Sequence, residues 1–119
     1  MHFDIDGLRV IRSTERGTFV EFEVVAHASR VADVLTLLLA ALPDGGEVSV
    51  PEPGPHECYH ECQRTKGELQ IKRGCHGSYG TWRPASLEEA HDWLLAGFTL
   101  SAANSRHEQA LVRIPSEYA

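Results

Sequence analysis

Alternation of apolar and polar residues with a period of two is the feature that most constrains the fold of this chain. It occurs at residues 2–12, 18–27 and 47–50, and again near the end, where Ala110, Val112 and Ile114 alternate with polar or mixed neighbours. Side chains that alternate in this way point to opposite faces of a strand, so each stretch predicts a half-buried β-strand. Only two other segments carry apolar residues at helical spacing.

The first helical segment covers residues 30–42, and Ser29 stands where a helix-capping residue is expected. Leu37 and Leu39 lie outside its apolar stripe, so burial of a second face or a homodimer interface would explain them. Burial is favoured because packing in a core is the commoner use of leucine. The stripe consists of Val31, Val34, Leu35, Leu38 and Leu42.

The second helical segment has the clearest local signal. Ser86 and Glu89 form a capping box, in which each side chain satisfies a free amide of the other residue. The helix is expected to run to about Ala103. Gly97 shares the apolar face and would let another element approach closely. The rest of that face consists of Ala90, Trp93, Leu94 and Phe98.

These elements predict an α+β fold. With 119 residues the chain has room for one ordinary domain, residues 1–119. The expected architecture is a two-layer sandwich, a mainly antiparallel sheet with two helices packed on it, in the order ββαβββαβ. The proline-rich stretch 51–55 is interpreted as a stiff surface connector within this domain.

Histidines and cysteines alternate with other residues in the segment 55–66, which fits either a strand or a helix. As a strand it places His56, Cys58, His60 and Cys62 on one face. A four-residue loop, 64–67, would then pair Cys62 with Leu69 and Cys58 with Arg73. As a helix it would begin at Pro55 and end at Gly67. The strand is favoured because its hairpin register explains the residues of both faces.

The same cluster raises the question of a metal. A zinc-stabilised module is the alternative interpretation, with Cys58, Cys62, Cys75 and His76 (or His60) as ligands. It requires the helix or a tight turn, because on one strand Cys58 and Cys62 would be about 13 Å apart. We favour small buried cysteines and no cofactor. The odd number of cysteines also argues against a disulfide framework.

A small thiol enzyme using Cys75 is a third interpretation. Gly74 and Gly77 on either side favour an exposed thiol, but the adjacent His76 is poorly placed to act as its base. Nothing in the sequence selects another histidine as the base. The favoured interpretation is therefore a protein that is not an enzyme.

The charge distribution limits the classes of partner. The net charge is −6, and residues 1–57 carry all of this excess. Nucleic-acid binding is disfavoured because phosphate contacts need concentrated lysine and arginine. The longest apolar run, residues 34–42, is too short to span a membrane. The first residues lack the features of a secretory signal, so a cytoplasmic location is expected.

The resulting functional prediction is a small acidic module that binds another protein stoichiometrically, as inhibitors, immunity proteins and anti-defence proteins do. An acidic surface would meet a basic surface of the partner. The expected charged contacts are Glu21, Glu23, Asp44 and Glu47, and the expected aromatic anchors are Tyr79 and Trp82.

Overall fold

The structure is a computed structural model that describes residues 4–52, 57–75, 78–101 and 107–118, with backbone only at 78–79, 99–101 and 107. Two helices are present in this part of the chain, α1 (Val31–Ala41) and α2 (Leu87–Ser101). The strands are β1 (Leu8–Arg16), β2 (Phe19–His27), β3 (Glu47–Pro51), β4 (Cys58–Thr65), β5 (Glu68–Cys75), β6 (Ser78–Tyr79), β7 (Arg83–Ala85) and β8 (His107–Pro115).

All eight strands belong to one antiparallel sheet. Its order is β1-β2-β8-β3-β4-β5, and the short strands β6 and β7 both pair with β5. The predicted α+β class and the order ββαβββαβ are confirmed, with β6 and β7 as short additions before α2. The closing strand β8 lies between β2 and β3, so it joins the amino-terminal hairpin to the rest of the sheet.

Both helices pack on one face of the sheet and enclose the core with it. The predicted stripe of α1 is buried, and Leu94 of α2 is fully buried. The two leucines outside the stripe differ. Leu39 is 0% exposed, which confirms the burial interpretation, whereas Leu37 is 46% exposed and the interpretation is wrong there.

The predicted amino-terminal cap is present in α2 and absent in α1. The capping box of α2 is confirmed, because Glu89 N donates to Ser86 Oγ at 3.1 Å and Ser86 N donates to Glu89 Oε1 at 3.2 Å. Ser29 does not cap α1. A 3₁₀ turn, Ala28–Arg30, precedes the helix, and Ser29 N donates to His27 Nδ1 instead.

The segment 58–75 is a β-hairpin, which confirms the strand interpretation. Its turn has two residues, Lys66 with a φ of 51° and Gly67 with a φ of 80°. The predicted register, based on a four-residue loop, is therefore wrong by two residues. Cys62 lies opposite Ile71, and Cys58 lies opposite Cys75. A shift of two residues preserves the faces, so the predicted division of side chains between them still holds.

The amino-terminal hairpin also differs from the prediction in its boundaries. β1 begins at Leu8, later than expected, and it continues to Arg16. An irregularity between Val10 and Arg12 leaves Ile11 without a partner on β2. Such a bulge bends the strand and shifts its alternation by one residue.

One buried carboxyl oxygen of β8, Oε1 of Glu108, lacks a hydrogen-bond partner in the described part of the chain. Glu108 is 5% exposed. Burial raises the pKa of Glu108. The folded protein therefore holds the proton of this carboxyl more tightly than the unfolded protein does. The resulting contribution to the free energy of unfolding is complete below the unfolded pKa and is lost as the pH rises through the folded pKa.

The native protein should lose stability as the pH rises and Glu108 ionises, and Glu108→Gln should not show this loss. Measured by urea unfolding, the free energy of unfolding of the variant should therefore rise relative to that of the native protein between pH 4 and pH 8. The exposed Glu68→Gln serves as a control and should show no such gain. A parallel pH dependence of Glu108→Gln and the native protein would contradict this assignment.

Candidate functional site

The face of the sheet opposite the helices is the candidate site. Among the described residues, no helix or strand covers it. Two adjacent rows of side chains cross its four central strands, β2, β8, β3 and β4. One row is Glu21, Arg113, Glu47 and Gln63, and the other is Glu23, Leu111, Ser49 and Glu61. We call the four glutamates of these rows the acidic centre.

Cross-strand contacts hold most of these side chains in place. Arg113 donates to Glu21 at 2.9 Å. Lys72 Nζ lies 3.7 Å from Glu61, and it also stands 4.5 Å from the centre of the Trp82 ring. The side chains of Glu21, Glu61 and Lys72 are only 15–18% exposed. The face is therefore a semi-rigid surface and not a set of free side chains.

Glu47 and Glu61 interact closely within the acidic centre. Burial raises the pKa of Glu47, and Glu61 raises it further through like charge and a hydrogen bond, while Arg113 and Lys72 oppose the shift. A hydrogen bond between two carboxyl groups requires that one of them carries a proton. Gly74 leaves room for Glu61, because a Cβ at Gly74 would lie 2.7 Å from Glu61 Oε1.

A groove of about 760 Å³ opens at the end of this face that carries the β1–β2 turn. Its polar residues include Glu47, Gln63 and Arg113, and Phe19 and Pro115 contribute apolar surface. Phe19 is one of the exposed large hydrophobic residues of the molecule, at 38%. An apolar wall beside a few fixed polar groups suits insertion of a partner's side chain.

The structure brings some of the predicted contact residues together and separates others. Glu21, Glu23 and Glu47 share the open face, and Trp82 borders it beside Lys72. Asp44 lies in the loop before β3, where it accepts a hydrogen bond from Gly67 N at 2.8 Å. Two further predictions fall on parts without described side chains: Tyr79 lies on β6 opposite Gly74, and His76 lies outside the described residues.

Sequence reasoning missed Glu61 and Arg113 as members of this surface. The signal for Glu61 was present, because the alternation in β4 places it on the face opposite the cysteines. Arg113 had no such signal. Its position between Glu21 and Glu47 depends on the insertion of β8 between β2 and β3.

Three members of the predicted histidine and cysteine face point into the helix layer, namely Cys58, His60 and Cys62. The fourth, His56, lies outside the described residues. His60 is 5% exposed and its ring stacks on Trp93 at a centroid distance of 3.8 Å. Its Nδ1 donates to the carbonyl oxygen of Trp93 at 2.7 Å, and its Nε2 lies 3.3 Å from Glu52. Two hydrogen bonds from Arg73 lower the pKa of Glu52. The hydrogen bond between His60 and Trp93 links α2 to β4, and Arg73 at the outer end of this network is exposed.

The three cysteines fall into two classes. Cys58 and Cys75 form a disulfide, with their Cα atoms 4.0 Å apart. The inference from the odd number of cysteines was therefore wrong, because two pair and the third stays free. Cys62 is the free cysteine, and burial raises its pKa to about 12, which makes it an unreactive thiol.

This arrangement restricts the two alternative interpretations. Cys58 and Cys62 lie four residues apart on one extended strand, about 13 Å, so they do not reach a common ion there. Among the described residues, no group of three or more histidine, cysteine or acidic side chains is placed to hold a metal. Zinc binding and catalysis by Cys75 would both require reduction of the disulfide, and both stay predictions.

Comparison with known proteins adds no constraint. The chain matches no protein-family model, curated protein or solved structure at a significant level. No helix in the described part of the chain is both long and apolar enough to cross a bilayer.

Proposed function

We propose that this protein is a non-enzymatic binding module whose open sheet face covers a basic surface of another protein. It acts stoichiometrically, in the manner of an inhibitor or immunity protein. The single observation that carries the proposal is the acidic centre, four glutamates in two adjacent rows on an uncovered face. Among the described residues, three cations, Arg113 on β8, Lys72 on β5 and Arg16 on β1, lie within 4 Å of these glutamates, so the patch has a negative excess of one charge when all four glutamates are ionised.

Preordering of the face supports this function. Binding ordinarily costs the entropy of fixing side chains at the interface. On this face Arg113 is already held by Glu21, and Gln63 donates to Gln70 at 2.7 Å. Less side-chain ordering therefore opposes association. Trp82 at the margin provides an aromatic residue of the kind that often dominates binding energy.

The size of the face is also suitable. Without β1, which carries the arginines, five strands about 4.8 Å apart and on average roughly 26 Å long give an area of about 620 Å². That is about three quarters of the ~800 Å² that each partner buries in a standard protein interface. The groove beside Phe19 would add a recess for a side chain of the partner.

Capture from a lysate of the native source tests the proposal with a matched pair of variants. Glu23→Lys/Glu47→Lys reverses charge on the open face, whereas Asp33→Lys/Glu88→Lys reverses charge at exposed positions on the helices. Both change the net charge equally. We expect the native protein and the helix variant to retain the same protein at low salt, in a one-to-one complex. The sheet variant should lose at least about tenfold in affinity, equal to ~1.4 kcal/mol.

Two results would overturn the proposal. One is the recovery of no partner at low salt. The other is an equal loss of binding in the two variants, which would point to general attraction by net charge. Circular dichroism of both variants checks that neither reversal unfolds the chain.

The cytoplasmic location stays part of the proposal. Cytosolic reductants keep most thiols reduced, whereas oxidising compartments preserve disulfides. The redox state of Cys58 and Cys75 in protein taken directly from its source therefore bears on the location. Trapping the thiols at the moment of lysis would measure it.

A further inference from the structure

Strand β1 forms one edge of the sheet. It pairs with β2 on one side, and no strand in the described part of the chain pairs with its other side. It is nine residues long, and most of its side chains are exposed. An edge strand of this length presents a row of backbone N–H and C=O groups that an extended chain can hydrogen-bond.

Three arginines of β1 point to the open face. Arg9, Arg12 and Arg16 lie opposite Val25, Glu23 and Phe19, which all belong to the open side of β2. Arg16 has only a distant ion pair, 3.7 Å from Glu21. Arg9 and Arg12 make no ion pair with any described residue. The edge therefore carries three positive charges, of which Arg16 has an ion pair and Arg12 has a glutamate opposite it on β2.

Strand β1 also carries exposed apolar side chains. Val10 is 37% exposed and the bulged Ile11 is 46% exposed. Exposed β-branched side chains on an edge strand offer cross-strand partners for similar residues of an added strand. The edge thus combines three features: backbone groups without a strand partner in the described part of the chain, exposed apolar surface and positive charge that is only partly paired.

A second copy of this chain is a poor occupant of the edge. Antiparallel pairing of two β1 strands in a continuous sheet would bring the arginines of both copies onto the same face of neighbouring strands. Like charges placed opposite each other destabilise a strand pair. The bulge at Ile11 further opposes a regular pairing of β1 with itself.

We propose that the β1 edge binds an extended acidic segment of a partner protein by strand addition. Carboxylates at alternate positions of the segment would pair with Arg9, Arg12 and Arg16. Apolar residues at the intervening positions would lie beside Val10 and Ile11, and main-chain hydrogen bonds would supply the alignment. This edge adjoins the acidic centre, because Arg12 lies opposite Glu23 and Arg16 is 3.7 Å from Glu21. Its test uses synthetic peptides and variants of β1 alone, so it does not depend on the proposed function.

The test uses a synthetic nine-residue peptide in which glutamate and valine alternate, labelled for fluorescence anisotropy. A second peptide has lysine in place of glutamate, and a third has the acidic sequence with N-methyl groups on alternate amides. We expect the acidic peptide to bind at least tenfold more tightly than the other two. Amide exchange measured by NMR should slow at β1 when the acidic peptide is bound.

Charge reversal at the edge provides the matched variant. Arg9→Glu/Arg12→Glu should lose binding of the acidic peptide and prefer the lysine peptide. Lys66→Glu/Arg83→Glu, at exposed cations away from β1, changes the net charge by the same amount and should bind as the native protein does. Equal binding of acidic and lysine peptides, full binding of the methylated peptide, or no effect of the double reversal on β1 would each overturn the proposal.

Discussion

Replacing Gly97 by valine is expected to lower the free energy of unfolding by about 3 kcal/mol, the upper range for overpacking of a core. Gly97 lies on the buried face of α2, where the helix crosses β3 and β4. A Cβ at this position would lie 3.0 Å from Val50 Cγ1 and 3.2 Å from Cβ and Cγ of His60. The additional methyl groups of valine would have to displace the helix or His60.

Ala96→Val is the matched control for this effect. Ala96 is the adjacent residue of the same helix and its side chain is exposed. It measures the cost of valine in this helix without overpacking, about 0.6 kcal/mol relative to alanine; glycine costs about 1 kcal/mol, so without overpacking Gly97→Val would not destabilise the helix. Urea unfolding of the two variants separates the cost of overpacking from the effect of valine on the helix. Equal stabilities of Gly97→Val and Ala96→Val would show that α2 does not approach the sheet as closely as described.

Loss of the Cys58–Cys75 disulfide is expected to have an effect of similar size. The two residues are 17 apart in sequence, and a cross-link that closes a loop of this length stabilises by about 3 kcal/mol. Most small domains are stable by only ~5–15 kcal/mol, so this is a large share. Cys58→Ala/Cys75→Ala should therefore lower the free energy of unfolding by about that amount.

Reductant provides the internal control for this prediction. Dithiothreitol should destabilise the native protein and leave the double variant unchanged. Thiol titration of the unfolded, unreduced protein should find only Cys62. Three titratable thiols in protein purified without reductant, or equal stability with and without dithiothreitol, would contradict the assignment.

Local signals predicted the elements of this fold well. The capping box at Ser86 and Glu89 defined the start of α2, and the glycine at position 97 predicted the close approach of another element. The alternation of β4 defined which side chains share a face. These features depend on residues that are neighbours in sequence, so they can be predicted from one sequence.

The register of the β4–β5 hairpin was harder, although its signal was also local. Lys66 and Gly67 both adopt a positive φ, as the tight two-residue turn requires. The assumed four-residue loop predicted a register in which Cys58 lies opposite Arg73 and not opposite Cys75, so the disulfide was not predicted. A two-residue turn centred on Lys66-Gly67 would have placed the two cysteines opposite each other.

The candidate site depends on a feature that the sequence does not record. The acidic centre exists because β8 lies between β2 and β3, which brings Arg113 between Glu21 and Glu47. Alternation shows which face of a strand is buried but not which strand lies beside it. Glu21, Glu23 and Glu47 could therefore be selected by charge, while their arrangement around Arg113 could not be predicted.

Carboxyl labelling of the complex tests the central claim most directly. Carbodiimide coupling followed by mass spectrometry measures the reactivity of each carboxylate, with and without the captured partner. We expect the reactivity of Glu23 and Glu47 on the open face to fall on binding, while Asp33 and Glu88 on the helices keep theirs. Protection of Asp33 and Glu88 with unchanged labelling of Glu23 and Glu47 would show that the partner binds the helix layer, and it would contradict the account.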